Sequence, residues 1–390
     1  MRPCRNTRTR TNGDTPAGAA ATRGPTKARR NAPLAALFSL ALVLFSALLG
    51  PGCSQGQNAS RVVTVTDMAG RTVKVPARVE RVVGIGAGAL RLIVYLDAVD
   101  KVVGVEDIEK RDRNRPYVMA HPELADLPSI GPMHGGEAES IAVQEPDVIF
   151  WTYTTAREAD DLEAKTGIPV VVIDYGDLGE RRTVLYEALR LMGEVLDRQD
   201  RAEELIGYIE ETVADLARRT AGIPDEERPS VYVGGVGFRG AHGLLSTEPS
   251  YEPLAFVDGR NVAAGLGPEH AMIDSEMLLE WDPDIIFVDR GGLSLVLDDL
   301  RRPEFGHLRA VRDGRLYGLL PFNYYTCNYA TVLADAYYIG KVLWPERFAD
   351  VDPEAKADEI YEAFLGEPVY ESMVEAFGGF GVLQRVEAGP

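Results

Sequence analysis

Ser140–Phe150 reads SIAVQEPDVIF, and Met277–Phe287 reads MLLEWDPDIIF. Each stretch opens on a short amphipathic segment, reaches an acidic residue, and then runs through Pro-Asp into three apolar residues. A helix cannot continue through Pro146 or Pro283, because proline has no N–H to donate and its ring collides with the preceding turn. The uninterrupted runs after each Pro-Asp suit strands buried on both faces, as in a parallel sheet. The same helix-to-strand junction is therefore written twice, and Glu139 and Glu276 stand at matching places just upstream of it.

Outward from the first copy, RVVTVTDMAGRTVKVP alternates on both sides of Ala69-Gly70 and predicts a hairpin stopped by Pro76. ERVVGIG is a short apolar strand, ALRLIVYLDAV fits a helix packed on one face, and KVVGVED is the next strand. VQEPDVIFWTY, AREADDLEAKTG and IPVVVIDYG repeat strand, helix, strand. After Glu180 the texture changes. Leu185, Leu189, Met192 and Leu196, then Leu205, Ile209, Val213 and Leu216, keep helical spacing. Gly193 and Asp197 mark a break, after which a helix of about 20 residues is long enough to act as a rod between two bodies. Beyond GIPDEERP the alternation resumes with SVYVGGVGF, DPDIIFVD and GRLYGLLP.

The fold expected is α/β: two Rossmann-like lobes with central sheets, joined by a long helix, with a ligand cleft between them. The divisions expected are a leader over 1–53, a tether over 54–60, a first lobe over 61–180, a helical linker over 181–222 and a second lobe over 229–390.

The 390 residues are enough for two cores, and 45% apolar content is that of a globular chain. The net charge is -19, although the first 53 residues are basic. Such a surface repels phosphate backbones and excludes nucleic acid as a general partner. Cys4, Cys53 and Cys327 are too scattered for a disulfide framework or a Cys-rich zinc site. The basic start, the apolar run Ala35–Leu49 and the small residues before Cys53 follow the order of an export signal, with Cys53 as the lipid acceptor. The expected location is outside the cytoplasm, periplasmic or anchored to the membrane through that lipid.

Chemistry-bearing residues gather in loops. GIGAGALR lacks the G-x-G-x-x-G spacing, so Gly86 and Ala87 suit a close backbone approach to a ligand rather than a dinucleotide site. Met133 and His134 sit among Gly131, Gly135 and Gly136. Trp151 and Tyr153 leave one strand end, and Arg290 leaves the equivalent end in the second half, where open sheets bind ligands. GGVGFRGAHG adds Arg239 and His242. PFNYYTCNY adds Asn323, Tyr324, Tyr325 and Asn328, whose flat faces and polar tips suit a large polar ligand. Cys327 is read as a small buried hydrophobe. No serine elbow or zinc motif supplies a catalytic group, so none is assigned, and no metal-ligand set is identified.

VTDMAGRTVKVPARVERVVGIG, VVGVED, the PDVIF segment, TGIPVVVID and DPDIIFVD together resemble the substrate-binding proteins of ATP-driven importers, in the iron-siderophore, haem and cobalamin class. The likeness runs from about Val62 to Phe380. It implies a non-catalytic monomer without a cofactor that binds a ligand between its lobes and delivers it to an ABC permease with its cytoplasmic ATPase. By position it implies docking of the permease by Glu139 and Glu276. The cargo expected is an Fe(III) chelate of siderophore type. Cobalamin (a corrinoid) or haem is the alternative, and an exported enzyme handling a metal or tetrapyrrole is a further one.

Overall fold

The computed structural model describes residues 61–384. The apolar run Ala35–Leu49 and Cys53 lie outside those residues.

The first strands, β1 (Val62–Thr66) and β2 (Thr72–Pro76), form the expected antiparallel hairpin. Asp67 closes its turn by accepting from the backbone N–H groups of Ala69 (3.1 Å) and Arg71 (2.8 Å). Four strands then build the first sheet: β3 (Val82–Ile85), β4 (Val102–Gly104), β5 (Val148–Thr152) and β6 (Val170–Ile173). Their order is β4-β3-β5-β6 and every pair is parallel. Successive residues alternate between two cores. Val82, Val148, Phe150, Val171 and Ile173 face one, whereas Val83, Ile85, Ile149, Val170 and Val172 face the other. Both faces are thus covered, which is why these strands read as continuous Val and Ile.

Five helices accompany this sheet: α1 (Ala89–Tyr95), α2 (Asp107–Arg111), α3 (Pro116–Ala120), α4 (Ala138–Val143) and α5 (Ala156–Thr166). Helix α1 departs from the one-faced packing its sequence suggests, because every one of its residues is buried. Its start is possible only with glycine. Gly88 has φ +87°, and a Cβ there would lie 2.2 Å from the ring of Tyr175.

The chain then makes two helices, α6 (Arg182–Leu196) and α7 (Gln199–Thr220). Asp197, in the left-handed region at φ +58°, ends α6 where the sequence predicts a break. Helix α7 has 22 residues.

The second sheet comprises β7 (Ser230–Gly234), β9 (Arg260–Asn261), β11 (Ile285–Asp289), β12 (Leu316–Leu319) and β13 (Gly381–Val382), in the order β13-β12-β11-β7-β9. Only β13 runs antiparallel. A separate two-stranded ladder joins β8 (Ser246–Thr247) to β10 (Ala271–Met272). The helices of this half are α8 (Glu252–Ala255), α9 (Ser275–Trp281), α10 (Leu293–Leu300), α11 (Arg309–Arg312), α12 (Tyr329–Leu343), α13 (Pro353–Leu365) and α14 (Tyr370–Phe377).

The duplicated junction occupies equivalent places. Helix α4 leads into β5 and α9 into β11, each an interior strand of its sheet. Both exits use a residue with positive φ directly before the proline, Glu145 (+46°) and Asp282 (+36°). The right-handed α conformation is disfavoured there by the proline ring.

One hydrophobic core is common to both halves. Leu90, Tyr95 and Phe150 belong to the same cluster as Leu205 and Ile209 of α7, Val233 and Phe287 of the second sheet, and Tyr329 and Phe364 of α12 and α13. Helix α13 also packs on α1 and α3. Polar contacts reinforce this side: Arg201 donates to the carbonyls of Tyr95 (3.1 Å) and Ala363, and His121 Nε2 lies 2.8 Å from the carbonyl of Leu365. A continuous core resists wide separation of the halves, since opening it would expose apolar surface.

Candidate functional site

Segments that follow β4 in the first sheet and β7, β11 and β12 in the second border a cleft of about 530 Å³. From the first half its wall takes Ile108, Asp112, Asn114 and Pro116, together with Met133 and His134. From the second half come the glycine loop around Arg239, the turn Asp289–Gly291 after β11, and the segment from Pro321 to Asn328. Phe377 closes one side. Much of the lining is apolar, which is usual for a cavity that desolvates part of a small molecule.

The segment 321–328 belongs by sequence to the second half, yet several of its bonds run to the first. Tyr324 donates its hydroxyl to Asp112 Oδ2 at 2.8 Å, and Tyr325 donates to Glu106 Oε2 at 2.6 Å. Tyr175 donates to the carbonyl of Cys327 at 2.8 Å, and the Tyr153 and Thr326 hydroxyls are 2.8 Å apart. Tyr325 and Thr326 both have positive φ, +50° and +64°. Such backbone is costly for these residue types and persists where surrounding bonds fix it.

Glu106 is a junction for three segments. Its carboxylate accepts from the N–H of Gly86 (3.2 Å), the N–H of Gly135 (3.0 Å) and the hydroxyl of Tyr325. Burial nevertheless pushes its pKa up to about 7. Asp289 is also buried and, with the N–H of Gly291 (2.8 Å) as donor to it, is pushed up by desolvation to about 7. His134 has φ +71°, and its backbone N–H donates to the hydroxyl of Tyr325 at 3.1 Å. Desolvation lowers the pKa of its imidazole, which is therefore neutral at pH 7.

Of the residues singled out in sequence, Met133, His134, Arg239, Asn323, Tyr324, Tyr325 and Asn328 meet at this cleft. Gly86 reaches it only through Glu106, and Ala87 is buried, its carbonyl accepting from the Thr152 hydroxyl at 2.9 Å. Trp151 packs against the outer core of the first sheet. Tyr153 lies beside Tyr175, with ring centroids 6.3 Å apart. His242 sits behind the glycine loop, bonded to the carbonyl of Phe238 at 2.6 Å, with His270 stacked on Phe238. Arg290 lies over Gly318 and Gly378, where any added Cβ would strike its guanidinium. Cys327 is buried in the shared core. Glu139 and Glu276 are both exposed, each in the first turn of its helix.

Sequence reasoning did not find Asp112, Asn114, Asp289 or the bridging Glu106. No group of three or more His, Cys, Asp or Glu side chains that could hold a metal ion occurs among the described residues.

Two α/β halves with a cleft at their strand ends, held by a shared core, define a bilobed ligand-binding protein. Residues 82–321 match the periplasmic binding protein family, and the chain belongs to it. It is similar to the molybdate-binding protein MolA of Haemophilus influenzae, 26% identical over 320 residues that span 77% of this chain and 90% of MolA. The structure of MolA bound to molybdate superposes with a TM-score of 0.64 at 23% identity, over 78% of this chain and 98% of MolA. A periplasmic solute-binding protein from Veillonella parvula gives 0.66 at 21% identity, over 81% and 97%. The haem-binding protein HmuT gives 0.50 at 20% identity, over 73% and 90%.

Members of this family are binding components of transport rather than enzymes. The chain acts outside the cytoplasm, in the periplasm or on a membrane anchor, and delivers a small ligand to an ABC importer.

Proposed function

We propose that the cargo is a metal complex of tetrapyrrole size, haem or a corrinoid, captured in the interlobe cleft and passed to the permease. The observation that carries this reading is the cleft itself: about 530 Å³, largely apolar, and bordered by Tyr324, Tyr325, Phe377 and a neutral imidazole at His134. A flat ring system buries its faces against such walls. With no acidic or histidine cluster among the described residues to hold a bare ion, the cargo brings its own metal ligands. The expected preference for an iron-siderophore chelate gives way to its alternative, because the similar proteins named above bind haem or molybdate.

The site residues proposed are Met133, His134, Arg239, Asn323, Tyr324, Tyr325 and Asn328, with Asp112, Asn114 and Phe377 added. Glu139 and Glu276 are proposed to dock the permease, one from each half, well exposed for that purpose. Cys53 is proposed as the lipid attachment point.

Native mass spectrometry of the purified protein with hemin, a corrinoid, a ferric siderophore and molybdate tests the cargo. A single hemin or corrinoid retained per chain is expected. Retention of molybdate or of the siderophore alone would remove the tetrapyrrole reading.

A further inference from the structure

We infer that His242 and His270 form a site for a divalent transition-metal ion behind the glycine loop 237–241, a staple separate from the cargo cleft. Neither residue lines the cleft, and the inference does not depend on which cargo the cleft holds.

Of the chain's five histidines, these are the two whose rings stand side by side, with centres 6.0 Å apart and planes at 41°. Hydrogen bonds fix the tautomer of each. His242 Nε2 lies 2.6 Å from the carbonyl of Phe238. A carbonyl only accepts, so Nε2 carries the proton and, in the neutral ring, Nδ1 carries the lone pair. His270 Nε2 lies 2.7 Å from the Ser246 hydroxyl, whose own proton goes to the carbonyl of Val236 at 2.6 Å. The hydroxyl therefore accepts from His270 Nε2, and again Nδ1 keeps its lone pair. Neither Nδ1 has a hydrogen-bond partner among the described residues. Metal-ligating histidines are held in this way, one nitrogen donating to an oxygen and the other left bare. Desolvation lowers the His270 pKa to about 4, so this ring is neutral and able to ligate at pH 7.

The spacing fits one ion. At about 2.1 Å from each Nδ1 it lies about 3.2 Å from each ring centre, so two ligating rings have centres at most about 6.4 Å apart. The observed 6.0 Å falls within that limit. Among the described residues no third His, Cys, Asp or Glu completes a set with them, so water fills the remaining positions and the ion exchanges readily. Zn²⁺, Ni²⁺ and Cu²⁺ suit neutral imidazole, whereas Mg²⁺ prefers oxygen.

The place of the pair gives the ion its effect. His242 directly follows the loop whose Arg239, Gly240 and Ala241 line the cleft. His270 comes from a different segment, directly before β10, and its ring stacks on Phe238 at 4.4 Å and 10°. On the same Phe238 ring sits the Arg239 guanidinium, 5.4 Å from its centre. An ion bridging the two imidazoles ties the loop to the neighbouring segment. Ordering this wall before cargo arrives lowers the ordering cost of binding.

Calorimetric titration of the untagged, chelator-stripped protein with Zn²⁺, Ni²⁺ and Mg²⁺ tests the site. One Zn²⁺ or Ni²⁺ per chain is expected, without Mg²⁺. His242→Gln keeps a donor for the Phe238 carbonyl, and His270→Phe keeps a ring stacked on Phe238. Each removes one imidazole and should weaken binding at least ~10-fold. Binding that survives both substitutions, or that is lost instead in His134→Ala, places the ion elsewhere and overturns the inference. Pulsed electron paramagnetic resonance of the Cu²⁺ form should count two imidazoles, and a count of one contradicts the pair. Should a variant not fold, that count in the unaltered protein decides alone. Hydrogen exchange over 237–242 should slow when Zn²⁺ is added; an ion bound without that protection overturns the staple.

Discussion

The two second-half segments that meet in the cleft are held in opposite ways. The wall formed by 321–328 is fastened across the lobe boundary by Arg91, Glu106, Asp112 and Tyr175, each through a short hydrogen bond. The wall around 237–241 is bonded within its own half instead: Phe238 N–H to the carbonyl of Gly240 at 3.0 Å, and Asn323 Nδ2 of the other wall to the carbonyl of Gly237 at 3.0 Å. A Cβ added at Gly240 would meet nothing within 4 Å. One wall is therefore preorganised, and the other is free to adjust around a ligand. Preorganisation lowers the ordering cost of binding, while the adjustable wall tolerates variation in cargo shape.

The largest effect expected is on Arg91. Replacing it with Met removes a buried donor from the carbonyls of Tyr324, Tyr325 and Cys327, of which Cys327 keeps the Tyr175 hydroxyl. The loss should be about 3 kcal/mol or more, read as a lower urea midpoint with an unchanged slope. A cost near zero would mean that the 321–328 wall is held by its own lobe.

A second effect comes from Glu106. Its folded pKa, about 7, lies above its ordinary value of 4.5, so the folded state binds the proton more tightly than the unfolded chain does. Its contribution to stability is present in full below about pH 4.5 and is lost as the pH rises to about 7. Asp289, also pushed up to about 7, acts in the same direction. Urea unfolding across this range should show stability falling with pH, and Glu106→Gln should make the fall shallower. An unchanged slope in that variant would show that Glu106 is not the titrating group.

The smallest effect on stability is expected at the other wall. Arg239→Ala should change unfolding free energy by no more than about 0.5 kcal/mol, since the side chain is exposed and without an ion pair among the described residues. A larger loss would mean that this wall too is structurally committed.

The parts of this molecule that were legible in sequence are those set by local pattern. Pro146 and Pro283 before apolar runs gave the paired junctions, and the alternation around Gly70 gave the hairpin. The Tyr and Asn density of 321–328 marked the cleft wall, because few other roles need so many polar-tipped rings together. Asp112, Asn114 and Asp289 carried no such signal: single polar residues near strand ends or short helices resemble ordinary surface positions until the chain is folded. Arg91 does carry a local signal. It interrupts a helix that is apolar all round, ALRLIVY, and a charge in such a helix must be buried with its partners. Arg290 and His242 show the reverse: each follows a strand or glycine loop as a ligand residue would, yet sits behind the surface that the cleft presents.

Hydrogen exchange on the free and hemin-loaded protein tests the central claim most directly. The account predicts that 321–328 is already protected without cargo, and that 108–116 and 237–241 gain protection when cargo binds. Protection that appears only outside these segments, or a 321–328 wall that exchanges freely until cargo is added, would contradict it.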